Sequence, residues 1–391
     1  MSTVCRSVEF GLRVIGMWPG TSISRGLSYI SLMAMFQVFQ YRYLFAHFSE
    51  QDLSLFMDVL SATMAYSLLF IKLILLACNA RLLDEIIACV AEDWKERDAS
   101  DEHAMTRMAF AARRFSNLII ASGATSVLFY ATGTLMLRKN DNRTVDRELF
   151  LKMDLPFDIE NGSVYVAVLV TQFIHQMSAA GILAMLDALL LTLVLHVCGQ
   201  IDIVQQKLST ITRKDIERDT CMVKILVIRH QRIISFSKNI ETLFSKIALI
   251  QFLSDTLIIC CLGFLIVISI NIPNGTTMLV KSVLFYISIG MQAFIFCFVG
   301  EYLSSKVSVF IIRHTKEACR VLQSEMIGDA AYESLWYDLK PNENRDLFFM
   351  IVRSQKRLTL TAGKFVNLSL RQFGNIVKAS ASYMSVLHAM Y

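Results

Sequence analysis

Proline, charge and recognisable catalytic motifs are all scarce in this 391-residue chain, and each scarcity excludes something. The four prolines, Pro19, Pro156, Pro273 and Pro341, all lie outside the long apolar runs, so no helix built from those runs is proline-kinked. Seven-helix receptors that couple to G proteins commonly use such kinks. Charged residues make up 18% of the chain against 54% hydrophobic, with a mean hydropathy of +0.49, which excludes an ordinary soluble domain. The seven histidines (47, 103, 175, 196, 230, 314 and 388) show no metal-ligand spacing. Phosphate-binding, dinucleotide-binding and nucleophile-elbow motifs are missing as well, so no enzyme, metal, cofactor or nucleic-acid partner is expected. None of the nine cysteines falls in a predicted outer loop, and no extracellular disulfide is expected. The adjacent Cys260 and Cys261 read as small packing residues.

What the chain has instead is membrane-spanning sequence. Seven stretches are long and apolar enough to cross a bilayer: Leu27–His47, Val59–Cys78, Ser116–Leu137, Val164–Cys198, Ile247–Ile270, Leu279–Gly300 and Phe365–Met390. The first and last are the least hydrophobic, and the fourth is long enough to continue into solvent as a helix. Glu9 and Arg13 interrupt any apolar core before Pro19, so the first 26 residues read as a cytoplasmic segment and not a signal peptide.

Basic residues set the orientation. Segments 1–26, 79–115, 199–246 and 301–364 hold 3, 6, 9 and 10 Lys plus Arg, whereas 49–58 and 271–280 hold none and 138–163 holds five. The excess places the N-terminus in the cytoplasm and, with seven crossings, the C-terminus outside. Four N-x-S/T acceptors provide a separate test: Asn142, Asn161 and Asn274 fall in segments assigned outside, and Asn367 lies at the inner end of the last span. The expected fold is an all-α integral membrane protein, with six transmembrane helices over 27–300, cytoplasmic helices over 301–364 and a seventh span over 365–391. In 301–327, apolar residues from Leu303 to Leu322 recur at steps of three and four, and Asp346–Leu360 repeats the pattern. These helices predict a packed cytoplasmic layer where subunits meet, joined to the last span by a short linker, 361–364.

Polar residues at membrane depth carry the functional clues. In the last span Arg371, Asn375, Lys378, Ser382 and Ser385 share one helical face, opposite Phe373, Ile376, Val377, Tyr383 and Leu387. Such a face belongs either to a pore wall or to a helix buried against neighbours. Lys72 in the second span and Asp255 in the fifth lie at similar depth; they can pair, Lys72 can snorkel to the interface, or both can handle ions.

A ligand cleft is expected between the outer halves of spans two, three, four and six. Its faces carry Thr63, Tyr66, Ser67 and Phe70; Phe129, Tyr130 and Gly133; Gln172, Phe173 and Gln176; and Tyr286, Ile289 and Gln292. No charged residue lies on these faces, so the expected ligand is small and apolar or weakly polar. Aromatic residues at this spacing also occur as plain packing.

Several stretches resemble one known family. These are Tyr332-Glu-Ser-Leu-Trp-Tyr337, Leu347 to Arg353, Leu358-Thr-Leu-Thr-Ala-Gly-Lys-Phe365, Ser369-Leu-Arg-Gln-Phe373 and Ser380-Ala-Ser-Tyr383, together with Leu12-Arg-Val-Ile-Gly-Met-Trp-Pro19 near the start. They resemble the signature of insect odorant receptors, most strongly over 300–391. The resemblance implies an odorant-gated, non-selective cation channel: a pore-forming heteromeric tetramer with the odorant co-receptor subunit, in the plasma membrane of a sensory-neuron dendrite. It implies that the last helix lines the pore and that Val386 and Met390 take the family's outer hydrophobic gate positions, one and two turns beyond Ser382. Lys378 on the wet face fits a cation pore poorly. The rival readings are a gustatory-type receptor channel, a G-protein-coupled receptor and a secondary transporter, the last weakened by the lack of an internal repeat.

Overall fold

The computed structural model describes residues 3–48, 53–140, 149–210, 220–271, 275–314, 353 and 358–390. Within these, side chains at 99–100, 133–140, 208–210, 220–223, 271, 277, 304–314 and 387–390 are not described. Nine helices and one short hairpin appear among the described residues: α1 (Arg6–Val14), α2 (Ile23–Ala46), α3 (Leu53–Cys78), α4 (Ala80–Lys95), α5 (Ala99–Asn140), α6 (Gly162–Thr210), α7 (Thr220–Asn271), α8 (Thr276–His314), β1 (Thr361–Ala362), β2 (Val366–Asn367) and α9 (Leu370–Met390). The protein is an all-helical membrane protein. Five helices, α3 and α5 to α8, are long and apolar enough to cross a membrane, while α2 and α9 fall short of them in apolar character.

Four helices exceed what a bilayer requires. α5, α6, α7 and α8 run 42, 49, 52 and 39 residues. At ~1.5 Å per residue these lengths reach roughly 60–80 Å, about twice the apolar thickness of a bilayer. The surplus forms a second helical layer with α1 and α4. The continuation foreseen for the fourth span is present, and residues 80–95, 99–115 and 220–246 are helical too. α8 extends through His314, but 315–352 and 354–357, including most of the expected second cytoplasmic helix, lie outside the described residues.

Amphipathic periodicity explains the packing of that layer. Leu83, Ile86, Val90 and Trp94 bury one face of α4, and Val8 and Leu12 do the same for α1. Both pack into the core built around α6, where Leu189, Leu190, Leu193, Val194 and Val197 are buried. Polar groups inside this layer are joined. Trp94 Nε1 donates to Thr3 Oγ1 at 2.7 Å, Thr3 Oγ1 lies 3.0 Å from His196 Nδ1, and His196 Nε2 lies 2.9 Å from Asp93 Oδ2. Arg232 of α7 reaches Glu92 and Asp93 of α4 at 2.8 and 3.0 Å, and Glu96 just after it at 3.1 Å.

The linker before the last helix departs from expectation. It forms an antiparallel hairpin in which Thr361 pairs with Asn367 and Ala362 with Val366. Gly363 and Lys364 take φ of 61° and 66°, the mirror-image turn that suits a tight hairpin and for which glycine is well fitted. Gly363 N donates to Ser245 O at 2.9 Å, and Thr361 Oγ1 donates to Glu241 Oε1 at 2.9 Å, fastening the hairpin to α7. The last helix therefore begins at Leu370, five residues later than the hydropathy boundary at Phe365.

Gly300 of α8 permits close approach to that junction, because a Cβ there would overlap Leu368, including its backbone carbonyl carbon at 2.9 Å. Gly290, one helical face away, has no such neighbour within 4 Å. Gly300→Val should sharply reduce the monodisperse fraction recovered in detergent. Gly290→Ala should leave it unchanged or raise it, since Ala favours a helix over Gly by about 1 kcal/mol. Size-exclusion chromatography of the two variants checks the difference.

Candidate functional site

Helices α3, α5, α6 and α8 line a cavity of about 220 Å³ that is partly open to the surface. Small side chains create it: Ala62 and Ala65 on α3, Ser122, Gly123 and Ser126 on α5, and Ala179, Ala180 and Ala184 on α6 all line the space. Leu69, Leu183 and Ile295 add apolar wall, and Leu151 closes one side. Its volume lies below the roughly 300–1,000 Å³ of ordinary drug-sized sites, which restricts an occupant to a small molecule.

Of the residues singled out in sequence, Tyr66, Tyr130, Gln176, Ile289 and Gln292 line this cavity. The Tyr66 ring is backed by His175 at 5.2 Å between centroids, and His175 stacks on Phe36 at 3.9 Å. Ser67 turns instead toward α2, and Thr63 Oγ1 donates to Val59 O of its own helix at 2.8 Å. Gln37 Nε2 donates to Ser67 Oγ at 2.9 Å and to Thr63 O at 3.3 Å, and Tyr41 shares a 2.8 Å hydrogen bond with Ser67. The cavity face of α3 is 62, 65, 66 and 69, rotated by one residue (about 100°) from 63, 66, 67 and 70. Phe70 packs beside the main core, Tyr286 packs toward α7 and α9, and Phe129 is 56% exposed. Phe173 is half-buried and does not line the cavity. Gly133 has no described side-chain surroundings.

Gln172 holds the closing segment and does not line the cavity. Its Nε2 donates to Leu151 O at 2.9 Å and its Oε1 accepts from Leu151 N at 3.2 Å. Tyr130 donates to Phe150 O at 3.1 Å beside it. Above this, Lys281 of α8 pairs with Asp58 of α3 at 2.6 Å.

A charge sits at the cavity wall, contrary to the uncharged faces expected. Asp187 of α6 lines the space, and its Oδ1 accepts from Lys72 Nζ at 3.2 Å, both side chains being fully buried. Lys72 Nζ also lies 4.9 Å from the Phe296 ring centroid. The pairing of Lys72 with Asp255 is corrected accordingly: Asp255 accepts two bonds from Gln251 Nε2, at 2.7 and 2.6 Å, one turn earlier on its own helix. Matching depths along two helices leaves rotation about each axis undetermined, and rotation decides which carboxylate Lys72 meets. Asp187 escaped notice inside a long leucine-rich run. The cavity-forming small residues escaped because they carry no chemistry, although their spacing of three and four is a signal.

α9 presents two faces. Ile376 and Ser380 are buried against the bundle, Ser380 Oγ donating to Thr256 O of α7 at 3.3 Å. Arg371, Asn375, Lys378, Ser382 and Ser385 are all exposed, and Val386 is 57% exposed. Phe373 and Ile376 face the bundle as expected for the apolar side, whereas Val377 and Tyr383 are exposed. Met390 has no described side-chain surroundings. Asn161 is exposed and its Oδ1 accepts from Ser163 N at 3.0 Å at the start of α6, while Asn142 and Asn274 lie outside the described residues. Asn367 is exposed in β2.

Comparison with known proteins follows the same outline. The family model described as 7tm Odorant receptor matches residues 52–310 and 321–381. Odorant receptor 13a of Drosophila melanogaster is 26% identical over 257 residues, covering 61% of this chain and 57% of its own length. Odorant receptor 10 of Aedes albopictus is 26% identical over 197 residues, covering 49% and 47%. The chain thus spans about half the length of the curated relatives it matches. The solved structure of the insect olfactory receptor OR5 from Machilis hrabei in complex with eugenol matches the fold with a TM-score of 0.77 at 13% identity, covering 99% of this chain and 97% of that one.

The buried ion pair gives a direct test of the cavity wall. Lys72→Met should abolish surface expression, since an unpaired buried carboxylate costs about 3–5 kcal/mol. Lys72→Met combined with Asp187→Leu should restore much of it, because two apolar residues leave no buried charge. Surface biotinylation of the single and double variants reads the difference.

Proposed function

Because the chain belongs to the odorant receptor family, we propose that it is the odorant-binding subunit of an odorant-gated, non-selective cation channel assembled with the odorant co-receptor. Its place is the plasma membrane of a sensory-neuron dendrite, with the N-terminus cytoplasmic, seven crossings and the C-terminus outside. One observation carries the reading: the polar face of α9 turns away from its own bundle. Asn375, Ser382 and Ser385 donate within their own helix, but the exposed charges of Arg371 and Lys378 at membrane depth need water or another subunit, because lipid offers them no hydrogen bonds. A central pore lined by one such helix from each of four subunits supplies both.

The cavity between α3, α5, α6 and α8 is the proposed odorant site, with Tyr66, Tyr130, Gln176, Ile289 and Gln292 on its wall. The eugenol complex of a fold relative supports a small organic molecule as its occupant. α8 packs against both the cavity and α9, so an occupant that favours one packing of α8 also biases α9. Val386 and Met390 then act as a hydrophobic gate that closes by dewetting, and the subunits meet through the cytoplasmic helices of 301–364.

Whole-cell recording from cells expressing this chain with and without the co-receptor, across a panel of volatiles, tests the proposal. The expected result is a fast cation current that requires both the odorant and the co-receptor. Lys378→Gln should raise conductance, since it removes a like charge from the path of cations. A slow response mediated by second messengers, with no odorant-gated conductance, would contradict the reading.

A further inference from the structure

The hydrogen-bonding groups that the cavity wall leaves open are donors. We propose that they select a compact ligand carrying an accepting oxygen (ketone, ester, ether or alcohol alike) over a hydrocarbon of equal size, with the Tyr66 hydroxyl as the group that reads the oxygen. This rests on the reading of the cavity as the odorant site and names the ligand class for it.

Most hydroxyl groups on the wall already donate to the protein. Ser122 donates to Ile119 O at 2.8 Å, Ser126 to Ser122 O at 2.9 Å, Ser288 to Leu284 O at 2.9 Å, and Tyr130 to Phe150 O at 3.1 Å. Tyr66 of α3 differs. Its hydroxyl has no hydrogen-bond partner among the described residues, while its ring is held by the stack on His175 and Phe36. Gln176 of α6 and Gln292 of α8 join it on the wall. Each amide seals its Oε1 from solvent and leaves its Nε2 accessible and unbonded among the described residues.

Water can bond such donors while the cavity stands open. A ligand displaces that water, and a donor left facing hydrocarbon then loses the bond without replacement. An oxygen with a free lone pair restores it. The requirement falls on the ligand's lone pair and not on a hydrogen, so a ketone or ether meets it as well as an alcohol does. Turning a glutamine amide over exchanges its nitrogen and oxygen, but the Tyr66 hydroxyl keeps its hydrogen in every rotation. Tyr66 is therefore the specificity-determining residue, and the two glutamines support it. The surrounding alanines and leucines leave the rest of the ligand free to be hydrocarbon, and the volume of about 220 Å³ keeps it compact.

The test is a dose–response comparison on the channel co-expressed with the co-receptor, using sets of equal heavy-atom count: a methyl ketone, a methyl ether, an alcohol and the hydrocarbon. Tyr66→Phe removes the donor and keeps the ring. It should raise the half-maximal concentration of the three oxygenated members by roughly tenfold, about what one hydrogen bond supplies, and leave that of the hydrocarbon unchanged or lower. Gln176→Met should shift the four in the same directions. Where the hydrocarbon opens no current, biotinylation showing the variant at the wild-type surface level controls for assembly. No shift for any oxygenated member, or an equal shift across all four, would overturn the ligand class and leave the receptor reading intact. So would a wild-type channel that the alcohol alone opens well, since that pattern calls for a ligand hydrogen. A surface-expressed channel that no volatile of any class opens would overturn the odorant-gated reading itself.

Discussion

Hydrocarbon offers no partner to a polar group, and the consequences of that constraint organise this molecule. Inside the bundle the constraint is met by pairing. Lys72 finds Asp187 across α3 and α6, Asp255 finds Gln251 on its own helix, and Gln37 finds Ser67 between α2 and α3. The two pairs that cross between helices fix the rotation of the helices that carry them, because an apolar seam tolerates sliding and a buried polar contact does not. The long helices then carry that arrangement past the membrane into a layer where Arg232, Asp93 and His196 repeat the same logic with water nearby.

Several buried groups leave the constraint unmet within one chain, and two places among them bear on function. Gln176, Gln292 and Asp187, which line the cavity, each keep one buried oxygen without a hydrogen-bond partner among the described residues. α9 retains an exposed polar face on which Arg371 and Lys378 have no side-chain partner among the described residues, a deficit that other subunits and a water-filled path can fill. The hairpin at 361–367 and the close contact at Gly300 join α9 rigidly to α7 and α8, so α9 does not hang independently. α8 borders the cavity on one side and the α9 junction on the other, which makes it the shortest physical route between them.

Much of this was legible in the sequence where hydropathy alone decides. The membrane-length helices α3 and α5 to α8 follow from runs of apolar residues, and the polar stripe of α9 follows from spacing. The four helices around the cavity were also legible, since each carries aromatic and small polar residues along one stretch. Helix rotation was not. The one-residue turn of α3 moved Ser67 to the α2 contact, and it could not be seen without knowing that Gln37 and Tyr41 would claim it. Asp187 and the alanines at 62, 65, 179, 180 and 184 were missed for a related reason: a cavity is made by what side chains lack. The hairpin hid behind Gly363 and Lys364, whose left-handed backbone only the fold imposes.

The central claim is that the exposed face of α9 lines a conducting path. Substituted-cysteine accessibility tests it most directly. With the co-receptor present and a volatile holding the channel open, Ser382→Cys should react with a charged, water-soluble thiol reagent and the current should fall. Ile376→Cys, on the face packed against the bundle, should not react. Equal reactivity at the two positions, or a current untouched after Ser382→Cys is shown to be modified, would contradict the account.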